Sequence, residues 1–175
     1  MKAGQLVLSR RVGSNGLEAF EKAKKSGREG ILAKDDSAPY EPGRRSLRWL
    51  KVKIRKESEF VIGGFTLPSA KRVHFGALLV GLYDGKKLRY AGRVGSGFSE
   101  EVLLTLLTAL QPLVTKTCPF DPDPKEKGAV WVKPRLVAQV AYTEWTDDEK
   151  LRQPSFLGLR NDKKPKECRW DERER

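Results

Sequence analysis

The chain has 175 residues, with 35 Lys and Arg against 23 Asp and Glu, for a formal net charge of +12. That length allows one domain or two small ones, and the charge favours an anionic partner, nucleic acid first and an acidic membrane surface second. No apolar run is long enough to span a bilayer, the N-terminal apolar stretch is too short for a signal peptide, and a single histidine, His74, gives little support to a histidine metal site or a Ser-His-Asp triad.

In chain order, residues 5–9 suit a short strand. Asn15-Gly16 is a turn signal. Leu17, Phe20 and Ala23 recur at helical spacing, and Gly27 suits the end of a short amphipathic helix. Ile31-Leu32-Ala33 reads as a buried strand, and residues 35–46 as a loop punctuated by Pro and Gly. Trp49–Lys53 reads as a strand with Lys51 and Lys53 on one face, and Leu50 and Val52 turned into a core. Two ammonium groups on one strand repel each other, unless a phosphate lies between them. A solvated face in a basic protein is the plainer alternative.

Composition changes after Lys53. Residues 54–57 are expected to be a charged connector and a domain boundary. A mostly β pattern follows. Residues 59–67 form a strand whose Gly63-Gly64 pair suggests a bulge. Residues 75–83 and 88–94 pair through an Asp84-Gly85 turn. Ser99 caps a helix with Glu100 and Glu101 in its first turn and a buried Leu face, stopped at Pro112. A Pro- and Asp-rich loop spans 118–127, and strands are expected at 129–132 and 137–145. Three strands, a helix and two more strands best suit a five-stranded OB-fold barrel, with another small β-barrel carrying a capping helix as the alternative. Residues 151–163 are basic and poorly periodic. Residues 164–175 read as a charged, disordered tail. Cys118 and Cys168 lack metal or redox spacing and read as free thiols of a cytoplasmic protein.

Three stretches resemble the ATP-dependent DNA ligases, most closely the ligase module of bacterial end-joining (ligase D type) enzymes. Glu29-Gly30-Ile31-Leu32-Ala33-Lys34 looks like the fourth nucleotidyltransferase motif. Trp49–Lys53 looks like the fifth, and residues 151–163 look like the sixth. Gly92–Phe98 and Trp131–Pro134 are also typical of that group. The resemblance implies a fold that is mainly β with α. Residues 1–53 would be the C-terminal remnant of an α/β adenylation domain, residues 54–163 an OB domain ending in the sixth motif, and residues 164–175 the tail.

The same resemblance implies ATP and Mg2+ or Mn2+ in the complete enzyme, and a nick-sealing reaction that proceeds by adenylyl transfer. Glu29 would help hold the metal. Lys51 and Lys53 would bracket the α-phosphate. Arg152, Arg160 and Lys163, with Asp162, would address the departing pyrophosphate. Arginine suits that task because its planar fork pairs bidentately with phosphate. Arg44, Arg45 and Arg93 are candidates for DNA phosphate, with a solvated loop equally open for the first two. Lys34 belongs to its motif by position, without an assigned role.

The covalent step needs a lysine nucleophile in a Lys-x-Asp-Gly setting. The one Asp-Gly here, Asp84-Gly85, has Leu82 two positions before it. The chain alone is therefore expected to form no lysyl-adenylate. An incomplete adenylation domain would also leave Ile31, Leu32, Leu50 and Val52 uncovered. Three possibilities stay open: a second polypeptide supplies the missing motifs, the remnant packs on the OB domain or on a second copy, or the chain is a truncated product. The alternative function is a non-catalytic OB module binding nicked or single-stranded nucleic acid, with Phe65, Phe75 and Tyr90 either stacking on bases or lying in the core.

Overall fold

The computed structural model describes residues 11–68 and 74–172, so the strand expected at 5–9 lies outside the described residues. The chain divides into two compact units, Met1–Ile54 and Arg55–Arg175.

In the first unit, α1 (Gly16–Lys25) starts where Asn15 Oδ1 accepts from the backbone N–H groups of Leu17 and Glu18. Gly27 follows it in the left-handed region. Strands β1 (Gly30–Lys34) and β2 (Trp49–Lys53) pair antiparallel across the 35–48 loop. The register sets Gly30 opposite Lys53, Leu32 opposite Lys51 and Lys34 opposite Trp49. Lys51 and Lys53 share a face, as alternation requires, but the expected core on the other face is not there. Leu50 is 53% and Val52 39% exposed, and Leu32, expected to be buried, is 50% exposed. A two-stranded ribbon has too little apolar surface to bury both of its faces.

In the second unit, β3 (Lys56–Thr66) is central. It pairs with β4 (Leu78–Asp84), which turns through Gly85 into β5 (Lys87–Val94). The expected 54–57 connector is shorter than read. Lys56 and Glu57 already pair with Tyr142 and Ala141, because the charged side chains of a strand's outer face look like a linker in sequence. The double glycine does interrupt the β3–β4 register, between Ile62 and Gly64. A Cβ on Gly63 would lie 2.4 Å from the Phe120 ring, so the bulge makes room for an aromatic that closes the core.

Helix α2 (Glu100–Leu110) begins where Ser99 accepts from the Val102 N–H, and it buries Leu103, Leu106 and Leu110. A 3-10 turn at Gln111–Leu113 carries Pro112, and the two-residue β6 (Val114–Thr115) leads toward β7 (Ala129–Val132). Strands β7 and β8 (Val137–Tyr142) both run antiparallel to β3, on its C-terminal and N-terminal halves respectively. Both strands stand where expected, the second ending at Tyr142 rather than 145, and along β3 they lie end to end as one interrupted fourth strand of the barrel. The fifth is β9 (Ser155–Leu159), paired with β8, in a stretch read from sequence as irregular. Backbone hydrogen bonds from Leu151 to Ala91 and from Phe156 to Ser96, both 2.8 Å, close β9 and its approach against β5 and the residues after it. The result is the OB-type barrel.

Phe65, Phe75 and Tyr90, for which base stacking and core packing were both open, are buried and build the core. One further expectation is corrected here. The tail is ordered through 172: 3-10 turns at Pro165–Glu167 and Trp170–Glu172 lay Cys168 and Trp170 into the core. The Tyr83 N–H donates to the Cys168 carbonyl at 2.8 Å, and Trp170 meets the Trp145 ring at 5.4 Å. Among the described residues, no helix is long and apolar enough to cross a membrane.

Candidate nucleotide- and phosphate-handling site

The first group of candidates lies on the β1–β2 hairpin. Gly30 explains the Glu-Gly pair, because a Cβ there would sit 2.2 Å from the Val52 carbonyl oxygen. Only glycine lets the strands approach this closely while Glu29 is delivered at the strand's start. Glu29 Oε1 accepts from Lys51 Nζ at 2.9 Å, with both side chains more than half exposed. Lys34 Nζ stands 4.1 Å from the centroid of the Trp49 ring, a cation–π contact across the ladder. Lys34, Lys51 and Lys53 thus lie on one face with Trp49. Arg44 and Arg45 are exposed in the 35–48 loop, apart from the ladder.

The second group lies on the barrel. Arg160 Nε and Nη2 donate to Asp162 Oδ1 and Oδ2 at 2.8 and 2.7 Å. Its Nη1 donates to Glu59 Oε1 at 2.9 Å and to Gln139 Oε1 at 2.8 Å. The hydrogen bonds from Arg160 hold the Asp162 carboxyl at about 2, against an ordinary 3.8. Lys163 is adjacent, and with Glu59 it lines a small cleft. Arg152 is elsewhere. It donates to Glu144 at 2.8 Å, beyond the end of the β8–β9 ladder where Ala141 meets Ser155, whereas Arg160 lies beyond the end where Ala138 meets Leu159. The sixth stretch therefore brings Arg160, Asp162 and Lys163 together and leaves Arg152 apart.

Arg93 belongs to a third place. It pairs with Glu126, whose other oxygen accepts from the Tyr90 hydroxyl at 2.7 Å. Burial acts to raise the Glu126 carboxyl, but the Arg93 and Tyr90 hydrogen bonds outweigh it and hold the group below its usual range. The same burial, with the Glu126 contact, pushes the Tyr90 hydroxyl up. These side chains line an open groove of about 560 Å3 with Arg89, Lys150 and Trp170.

Sequence reasoning missed Glu59, Gln139, Glu144 and Glu126, which partner the candidate cations. The only trace they leave is a carboxylate or amide at an outward strand or loop position. As for a metal, Glu29 is a lone carboxylate engaged with Lys51. Among the described residues, no group of three His, Cys, Asp or Glu side chains could hold an ion. These residues by themselves do not fit a complete divalent metal site.

The hairpin carries the Glu-Gly and Trp-Leu-Lys-Val-Lys stretches, and the barrel that follows it in sequence ends in Arg-x-Asp-Lys. Residues 13–53 match the family model described as ATP dependent DNA ligase domain, and residues 71–163 match ATP dependent DNA ligase C terminal region. The chain belongs to the ATP-dependent DNA ligase family, whose complete enzymes use ATP and a divalent metal and act on DNA. It is 42% identical over 172 residues to the multifunctional non-homologous end joining protein LigD of Mycolicibacterium smegmatis, covering 96% of this chain and 23% of that protein. It is 36% identical over 166 residues to a DNA ligase of Thermococcus fumicolans, covering 89% of this chain and 28% of that protein. The crystal structure of the ligase domain from M. tuberculosis LigD superposes with a TM-score of 0.64 at 44% identity, over 90% of this chain and 52% of that one. A mycobacterial DNA ligase D complexed with ATP and MES gives 0.60 at 45% identity, with the same coverage. The chain thus spans about a quarter of the curated relatives' length and about half of the solved ligase domain. It corresponds to the C-terminal portion of a ligase of this family.

Proposed function

We propose that this chain supplies the phosphate-handling, C-terminal share of a cytoplasmic, ATP-dependent end-joining DNA ligase, which seals nicks during DNA repair. Residues 1–53 serve as the end of an adenylation domain, and residues 54–163 as an OB domain. The observation that supports this best is the shared face of Lys51 and Lys53 beside Glu29, held by a hairpin whose register places Lys34 and Trp49 on the same side.

Lys51 and Lys53 hold the α-phosphate of ATP. Arg160 and Lys163 draw off negative charge from the pyrophosphate leaving group, and Asp162 aligns Arg160. Phosphoryl chemistry leaves the protein mainly positioning and charge stabilisation to do, and cations fixed on a ladder do both. Arg152 lies apart from this cluster, so its role in the same step needs a rearrangement of the 143–154 loop. Glu29 would give one carboxylate to Mg2+ or Mn2+ on leaving Lys51, and the other ligands of that site would have to come from residues outside this set. Arg44, Arg45 and Arg93 contact DNA phosphate. The nucleophilic lysine is not among these residues, so the upstream adenylation motifs must supply it, whether on a second polypeptide or on a longer form of this chain. Association of two copies through the exposed hairpin would leave the nucleophile still missing.

Intact-mass spectrometry tests this reading. The chain is incubated with ATP and magnesium, alone and with a polypeptide carrying the upstream motifs. The expected result is AMP on the partner's lysine only when both are present. A stable AMP adduct on this chain alone refutes the assignment, as does adenylation of the partner that this chain leaves unchanged.

A further inference from the structure

Arg160 is already occupied. It makes four hydrogen bonds in this structure: two to Asp162, one to Glu59 and one to Gln139. A guanidinium has five N–H donors in a fixed fork, and the four hydrogen bonds here take both of its edges. A phosphate approaching Arg160 therefore meets a largely occupied fork flanked by two carboxylates, Glu59 and Asp162.

The two carboxylates are not equivalent. Asp162 is two residues from Arg160 and moves with it. Glu59 sits 101 residues away, on the central strand β3. It stands directly opposite Gln139 in the β3–β8 ladder, and the Arg160 backbone N–H is tied to the Val137 carbonyl at 2.9 Å. The rigid sheet thus presents a charged acceptor and a neutral one side by side to the same nitrogen. Glu59 and Arg160 keep 28% and 30% of their side-chain surface exposed, so the pair is screened only in part and remains open to an incoming anion.

We propose that Glu59 is a resident competitor in the polyphosphate site: it holds Arg160 Nη1 until the pyrophosphate end of a nucleoside triphosphate displaces it, while Gln139 keeps the guanidinium in place. The proposal rests on the reading of Arg160 as a polyphosphate ligand. Glu59 acts through Arg160 and is a positioning residue.

The test is calorimetric binding of inorganic pyrophosphate to the full chain. It compares the wild type with Glu59→Gln, Gln139→Glu, Arg160→Ala and the Glu59→Gln/Arg160→Ala double variant. Glu59→Gln removes the charge and keeps an acceptor for Nη1, so pyrophosphate should bind about three- to tenfold tighter, the lower part of the range for coupled neighbours. Gln139→Glu adds a second competitor and should weaken binding by a similar factor. Arg160→Ala should abolish most binding, and in that background Glu59→Gln should change nothing, which separates competition for Arg160 from a general gain in positive charge. Binding unchanged or weakened in Glu59→Gln, with Arg160→Ala still losing it, overturns the competitor role and leaves Arg160's role standing. Binding unchanged in Arg160→Ala, or absent in every variant, overturns both.

Discussion

Replacing Trp170 with alanine should destabilise the barrel severely, although the residue lies in a run of charges, KKPKECRWDERER, near the C-terminus. The indole is 6% exposed. It packs on Trp145 at 5.4 Å and carries the Arg89 guanidinium 4.1 Å over its ring. Truncating a buried tryptophan costs about 3–5 kcal/mol through lost transfer energy and the cavity left behind. The cation–π contact adds about 0.5–1 kcal/mol at its exposed end. Against a typical total of about 5–15 kcal/mol, that is a large share of the domain's stability. Urea unfolding followed by far-UV circular dichroism, which does not depend on the indole itself, measures the loss. A chain cut after residue 163 should lose at least as much, since it also gives up the Tyr83–Cys168 backbone bond. A loss below about 0.5 kcal/mol, the range of ordinary surface substitutions, would refute the claim that the tail is part of the core.

Asp162 should titrate at about 2, followed by carboxyl-carbon NMR. Because its folded value is depressed, its stabilising contribution is present above the ordinary value near 3.8 and is lost as pH falls toward 2; Arg160→Ala should return the midpoint toward 3.8, and a wild-type midpoint already there would contradict the bidentate pairing. Gly30→Ala should strain the hairpin where its Cβ meets the Val52 carbonyl at 2.2 Å, costing about 1–3 kcal/mol and speeding amide exchange across the β1–β2 ladder about tenfold or more; unchanged protection there would count against the register.

What the sequence made legible was local. Ser99 capped the helix it was expected to cap, Asp84-Gly85 turned the hairpin, and Gly63-Gly64 marked the bulge, while Asn15, read as part of a turn, caps the first helix. Each signal acts within a few residues. The larger misses were long-range. Strand β9 has only Phe156 well buried, while Leu157 is half exposed and Gly158 interrupts the alternation, so it is a strand because β8 pairs with it. Trp170 is ordered because Trp145 and Arg89 wait for it, while its neighbours in sequence argue for disorder. The motifs showed which cations to watch. They could not show that Glu59, Gln139 and Glu144 would meet them, because those partners come from other strands and loops.

The net charge of +12 and the pairing of the candidate cations belong to different ranges of the same interaction. Lys51, Arg93, Arg152 and Arg160 each have a carboxylate partner, yet an ion pair leaves the total charge unchanged. At distances beyond the Debye length, about 8 Å at physiological salt, a polyanion responds weakly to any single side chain, and approach is governed by the summed field. On contact, binding becomes an exchange of protein carboxylate for phosphate. The cost of that exchange depends on how each cation is held. The Glu29–Lys51 pair is exposed, and pairs of that kind are worth about 0–1 kcal/mol, so Lys51 can move onto a phosphate at little cost. Arg160 must release at least one of four hydrogen bonds inside a half-buried cluster. On the proposed function, the excess of lysine and arginine would draw a polyanion near, while the carboxylates, too few to neutralise the chain, would set which cations yield first.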